Sequence, residues 1–492
     1  MKKAITKYWL LPIMFLTLSI PVIGQQFNNL GFQQLCDTSK TGLCYWDLSW
    51  GGKGSVKPDT VDKNNCLLIR GKSENSVGFV EQTTFVDDLK TISIITISAI
   101  IKSDSIVGKG SGLNIGLYDS DGLLIANKDM GGFYSLDWIR GTTEWKNYTI
   151  SIVCPTETSK IKIGAILYGK GKVWFKDYKV SITSIQSRRP NKLAKAFIKS
   201  ACDTIQKNSL YRDSVNFKQI KRVALKIAGP AKNYTDCYLA VNYMLESLRP
   251  FGDKHSFFMT AEEVKNWENE GSQVSKIQFP TFEVVDSCGY ILVPPFHGGN
   301  PKQMLAYADT LQAAIQTLYN LGIKGWLIDL TQNTGGNMAP MIAGLGPLFS
   351  SEKLGSLIDV NGKSNAWYYK KGRYFWDDDI GWNVSAPVQL PTSLPIAVLT
   401  GNQTGSSGEA VVVSFIGNKK TKSFGQPTWG LTTGNGSFEL KDGSQIFLAS
   451  TIMSDRNGKE YRSSITPDFK VDITDSKILI DAAVQWIMSN YK

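Results

Sequence analysis

The hydrophobic period of this chain changes at residues 186–190, and that change calls for two kinds of fold in one polypeptide. Before it, apolar residues alternate or run in short β-branched stretches. Examples are Thr91 to Ile101, Leu113 to Tyr118, Tyr148 to Val153 and Ile161 to Leu167, broken by Gly, Asp, Asn and Ser. A period of two puts successive side chains on opposite faces of a strand. Several short strands at even spacing predict an antiparallel β-sandwich over residues 25–185. Trp46, Trp50, Trp138, Trp145 and Trp174 fall within it. Core and rim packing is the reading we favour for them over a platform that stacks a sugar.

After Arg188, Arg189 and Pro190 the period lengthens. Leu193, Phe197, Ala201 and Ile205 recur every fourth residue, which is the spacing of one helix face. A second helix is predicted from Tyr238 to Leu248, ahead of Pro250. From Gly289 onward strands and helices alternate. Gly289 to Val293, Gly325 to Leu330 and Ile396 to Thr400 are short buried-strand runs. Met304, Ala308, Leu311, Ile315 and Leu318 mark an amphipathic helix that Gly322 stops, and Met338 to Leu348 and Ser406 to Ile416 are further helices. This rhythm predicts an α/β domain with a largely parallel sheet.

Composition narrows the function. A chain of 492 residues with 42% hydrophobic and 20% charged residues is globular, not disordered or fibrous. Lys2, Lys3 and Lys7 precede an apolar run from Tyr8 to Ile20 and small residues to Gly24. That is the layout of a secretory signal peptide over residues 1–24, with a run too short, and interrupted by Pro12, for a comfortable span. The mature chain is then exported, periplasmic or extracellular, with no membrane span. The net charge of +11 is spread without a dense Lys/Arg tract among aromatics, so nucleic acid is not an expected partner. Seven cysteines without a C-x-x-C pair fit no metal motif. Their count is odd, and the sequence fixes no disulfide pairing. Only His255 and His297 are available to histidine chemistry.

Three segments carry candidate chemistry. In IAVLTGNQTGSSGEA a buried strand enters a Gly-rich loop, and Ser406 and Ser407 open a helix. Ligands sit beyond the carboxyl ends of such strands, and a helix start offers unpaired N–H groups to an oxyanion. The plainer role for Ser406 or Ser407 is an N-cap, with Glu409 as a capping-box acid. In IDLTQNTGGN, Gly335 and Gly336 make a turn whose backbone approaches a ligand closely. In FGDKHSFF, His255 lies in a polar loop; a lone histidine is more often structural, and His297 in PPFHGG has the same plain reading.

Taken in order, these segments resemble the tail-specific (C-terminal-processing) serine peptidases, which share a core with the tricorn protease. The matching run is D-x-H-S (Asp253, His255, Ser256), IDL-x-x-N-x-GG, T-x-SSGE, SFGQPTWG (423–430) and DRNGKEY…ITPD (455–468), across about residues 190–490. The resemblance implies a helical part, residues 190–280, carrying the base, and an α/β peptidase core of the crotonase-like, tricorn-core type over residues 281–492. The N-terminal region is similar to jelly-roll, carbohydrate-module-like domains, with glycan as its implied ligand. The family nucleophile falls on Ser406, and its oxyanion donors on the N–H groups of Ser407 and Gly336. Where many members carry a dyad lysine this chain has Leu431, so the Ser-Lys route is closed; the tricorn-like branch uses a histidine, which His255 matches. The third member falls nearest Glu460, one residue out of register, with Asp455 as rival and Ser256 as helper. Only about 33 residues separate His255 from Gly289, too few for a PDZ insertion. The expectation is an exported serine endopeptidase acting on a peptide or protein, with no metal or cofactor. The alternatives are an inactive peptidase-fold scaffold and a glycan-binding protein.

Overall fold

The computed structural model describes residues 27–37, 39–51, 54–73, 76–86, 89–131, 138–186, 188–269, 277–377, 379–390, 393–473 and 476–491. The predicted leader and the side chain of Trp50 lie outside them. Two compact units part at residues 187/188.

The first unit is all antiparallel β-structure. Strand Ser93–Tyr118 runs 26 residues against Lys160–Ser184, which runs 25. The short strands expected from the sequence are here segments of these longer ones, except Tyr148 to Val153, which lies in strand Ile139–Cys154. Residues that read as breaks, such as Asp104 and Gly110, sit at register shifts. A bulge bends a strand without ending it. The alternation itself holds: Ile95, Ile97, Ala99 and Ile101 are fully buried. Trp46 is also fully buried, its ring 5.2 Å from Phe32 and 5.1 Å from Tyr178. Trp145 and Trp174 are half-buried and donate their indole N–H groups to Asp62 and Asp59.

The second unit opens with helices Lys192–Asn208, Phe217–Ile227 and Tyr238–Glu246. Asn191 caps the first by accepting from the Ala194 N–H, and the four-residue repeat of Phe197, Ala201 and Ile205 faces inward. A six-stranded sheet follows, in the order Thr281–Val285, Cys288–Leu292, Trp326–Asp329, Ile396–Thr400, Thr421–Gly425, Phe469–Lys470. Its first pair is antiparallel and the rest parallel, close to the expected α/β layout. Strand alternation splits its side chains between two cores. Trp326, Ile328 and Val398 join the helices Pro301–Asn320, Met338–Leu345 and Ser407–Phe415; Leu327, Ala397 and Leu399 join Ser476–Asn490.

A second, antiparallel sheet runs Asp379–Asn383, Arg373–Trp376, Ser364–Lys370, Lys353–Asp359, Gln445–Asp455, Thr433–Glu439. Phe257–Met259 also pairs with Gln445–Asp455. The periodicity reading places no element between residues 349 and 395, where four of these strands lie. This sheet positions the site, because it brings the segment after His255 to the strands that follow Leu431. Among the described residues no helix is long and apolar enough to cross a membrane.

Candidate active site

Strand Ile396–Thr400 is fully buried and ends at a loop tied down by its own threonine. Thr404 accepts from the Gly401 N–H and donates to Leu330 O, so the loop is anchored to the neighbouring strand. Ser406 follows at φ +50°, ψ −117°, immediately before helix Ser407–Phe415. A non-glycine residue there is strained by on the order of 1–3 kcal/mol and persists only where its surroundings over-determine it. A strained strand-to-helix turn lifts a serine hydroxyl out of the backbone, as a nucleophile needs.

The surroundings are specific. Glu409, fully buried on the first turn of that helix, accepts from the Ser406 N–H at 2.9 Å. Its other oxygen accepts from Thr428 Oγ1 at 2.5 Å and from the Gly430 N–H at 2.9 Å. Burial pushes this carboxyl up to about 7, against the pull of its hydrogen bonds. The capping-box reading of Glu409 is therefore correct but incomplete.

The Asn-Thr-Gly-Gly turn is built against Ser406. A side chain on Gly335 would meet Ser406 Cβ at 2.8 Å, and one on Gly336 would meet Phe296 O at 2.0 Å. Both glycines have positive φ, 111° and 106°. Asn333 sets the turn: its Oδ1 accepts from the Gly335 N–H at 3.0 Å and its Nδ2 donates to Val293 O at 3.0 Å. The Ser407 hydroxyl donates to Gly336 O at 2.5 Å, so the turn and the helix start are joined side by side. Ser407 is the first residue of its helix, where an N–H has no intrahelical partner. His297 lies here as well, its Nδ1 3.1 Å from where a Gly336 side chain would begin.

His255 is held from two directions. Asp253 accepts from the N–H groups of His255 (3.0 Å) and Ser256 (2.9 Å), and from Ser256 Oγ at 2.6 Å. Ser256 Oγ in turn accepts from the Ala449 N–H, and Asn435 donates to His255 O. The D-x-H-S motif is thus a turn locked onto the second sheet. The imidazole Nδ1 is hydrogen-bonded to Thr433 Oγ1 at 2.8 Å. Desolvation pushes this imidazole down to about 4, so it is neutral at ordinary pH.

The chain leading to Thr433 runs past the loop before Ser406. Two residues before Thr433, Leu431 is buried, and its Cδ1 is 3.5 Å from where a Gly405 side chain would begin. The Trp429 N–H donates to Thr404 O at 2.8 Å. One segment, residues 428–433, therefore touches Glu409, the loop before Ser406, and His255.

The two carboxylates singled out as third members are engaged elsewhere. Glu460 is exposed and accepts from Arg462, at 2.7 Å from Nη2. Asp455 is buried and accepts from Tyr461 Oη and from the Asn457 and Lys459 N–H groups. Neither bonds the imidazole. The sequence reading missed Thr433. The only signal available was its place two residues after the absent lysine.

Residues 287–471 match the family described as Peptidase family S41. The nisin-resistance protein of Lactococcus lactis subsp. lactis is 27% identical over 297 residues, covering 60% of this chain and 87% of that protein. The chloroplastic carboxyl-terminal-processing peptidase 2 of Arabidopsis thaliana is 28% identical over 139 residues, 28% of this chain and 24% of that one. Among solved structures, a lipoprotein from Streptococcus agalactiae superposes with a TM-score of 0.50 at 26% identity, over 61% of this chain and 98% of its own.

Proposed function

We propose that this chain, which residues 287–471 make a member of Peptidase family S41, is a serine endopeptidase with Ser406 as nucleophile. The observation that carries the reading is the strained Ser406 with a double-glycine turn built against its Cβ. Ser406 Oγ attacks the peptide carbonyl and passes its proton to His255 Nε2. The other ring nitrogen, Nδ1, bonds Thr433, which fixes the ring; Thr433 takes the orienting part in place of Glu460 or Asp455. A neutral imidazole can accept that proton and return it to the leaving amine. The N–H groups of Gly336 and Ser407 face the developing oxyanion, and water then hydrolyses the acyl-enzyme. The Ser406 N–H is held by Glu409 and takes no part in the oxyanion hole.

The leader expected in residues 1–24 and a lipoprotein among similar structures support an exported enzyme. A relative named for nisin resistance makes nisin a substrate to test beside general protein substrates. Glycan is the ligand class that the resemblance implies for the all-β unit, and glycan pull-down with the full chain tests it.

A fluorophosphonate probe should label the wild type and not Ser406→Ala. Equal labelling of the two would remove Ser406 as nucleophile and favour a scaffold. His255→Ala should slow turnover by about three orders of magnitude or more, and His297→Ala by less. Equal losses would sink the assignment of the base.

A further inference from the structure

Glu409 is a buried carboxyl that no catalytic step uses, and three donors converge on it. Its oxygens accept from the Ser406 N–H (2.9 Å), Thr428 Oγ1 (2.5 Å) and the Gly430 N–H (2.9 Å). An N-capping acid needs only the first of these. The other two belong to the segment that leads to Thr433. Thr428 passes the connection further: its Oγ1 accepts from the Ile465 N–H and its own N–H donates to Ile465 O.

We infer that Glu409 is a positioning residue that clamps the strained backbone of Ser406 to the 428–433 wall, so that nucleophile and base are held by one carboxylate. The inference rests on Ser406 and His255 being the reacting pair. The structural logic is direct. Ser406 keeps a φ of +50° only while something holds its N–H, and Oε2 does so. Oε1 fixes Thr428 and Gly430, and from there the chain runs through Leu431, against Gly405, to Thr433 on the imidazole. An uncharged amide in place of the carboxylate offers one acceptor oxygen and one donor NH2 to a ring of donors, so one edge of the clamp must open.

The position is also sensitive to protonation. Burial pushes the carboxyl up to about 7, and the groups that shift it are hydrogen-bond donors, with no charged side chain among them. A proton on either oxygen puts a donor against a donor. The clamp is closed when Glu409 is ionised.

The test is Glu409→Gln in the full chain, read by fluorophosphonate labelling rate, kcat and KM across pH, with circular dichroism to confirm the fold. Labelling and kcat should fall by roughly 10²-fold with KM little changed, the size of loss seen when one preorganised donor is removed from a hydrolase site. Wild-type kcat should also fall as pH drops through about 7, and the variant should lose that limb while keeping any His255 limb at lower pH. A variant that labels at the wild-type rate, or that keeps the limb near 7, would overturn the clamp. Should Glu409→Gln fail to fold, Glu409→Asp keeps the charge on a shorter arm. It should retain the limb with a labelling rate between those of wild type and an inactive enzyme, and wild-type rates there would equally overturn the clamp. Failure of the underlying reading would look different: Ser406→Ala would then keep its activity whatever Glu409 does.

Discussion

In the proposed mechanism a hydroxyl at Thr433 fills the place where a carboxylate would be expected, and this changes what the imidazole can do. A neutral hydrogen bond orients the ring without stabilising the imidazolium as an ion pair would. The desolvated ring, held down to about 4, is consistent with that absence of a counter-charge. Thr433→Val removes the hydrogen bond and keeps the shape. With a net hydrogen bond worth about 1 kcal/mol, kcat should drop roughly 5- to 10-fold with KM unchanged. A loss of several orders of magnitude would mean that Thr433 does more than orient, and no loss would leave the ring without its proposed partner. Glu460, by contrast, is exposed and paired with Arg462.

At the scale of elements, the site is an agreement between two turns. One joins a parallel strand to helix Ser407–Phe415; the other leaves strand Trp326–Asp329 as Asn-Thr-Gly-Gly. Asn333 ties the second turn to Val293, and its backbone oxygen accepts from the Gly405 N–H in the first. Asn333 is fully buried, so Asn333→Ala leaves the Gly335 N–H and Val293 O without partners. That should cost about 2–4 kcal/mol of stability, measurable by urea denaturation, and displace Gly336 from its place in the proposed oxyanion hole. A variant with wild-type stability would show that these bonds are replaceable by water. Both turns are legible in the sequence because glycine and asparagine have few alternative reasons to recur there. The strands of the second sheet are not. They are half-exposed, and their alternation competes with turns that look like ordinary loops.

For the molecule as a whole, two buried titrations oppose one another. The His255 imidazole sits near 4 in the fold against an ordinary value of 6.5, so between these values the unfolded chain holds the extra proton and stability rises with pH. Glu409 sits near 7 against 4.5, so the folded chain holds the extra proton and stability falls as pH rises through that window. Together they flatten the stability profile between about pH 5 and 6.5. His255→Ala should leave a fold that loses stability as pH rises across that range, and Glu409→Gln one that gains it. Urea midpoints at both ends of the range read this directly, and slopes of the same sign would refute one of the two shifts. Alternation, spacing and short motifs determined by themselves that an all-β stretch precedes a helical and α/β part and that Ser406 begins a helix beyond a buried strand; that Leu431 stands where a dyad lysine would be came from the family resemblance. These are local properties, and a period or a turn is written in neighbouring residues. The tertiary structure alone decided that Thr433 meets His255, 178 residues away, and that Glu409 bonds both the Ser406 N–H and Thr428 Oγ1. Contacts at that separation depend on how sheets and loops are stacked, and no local preference of the chain encodes them.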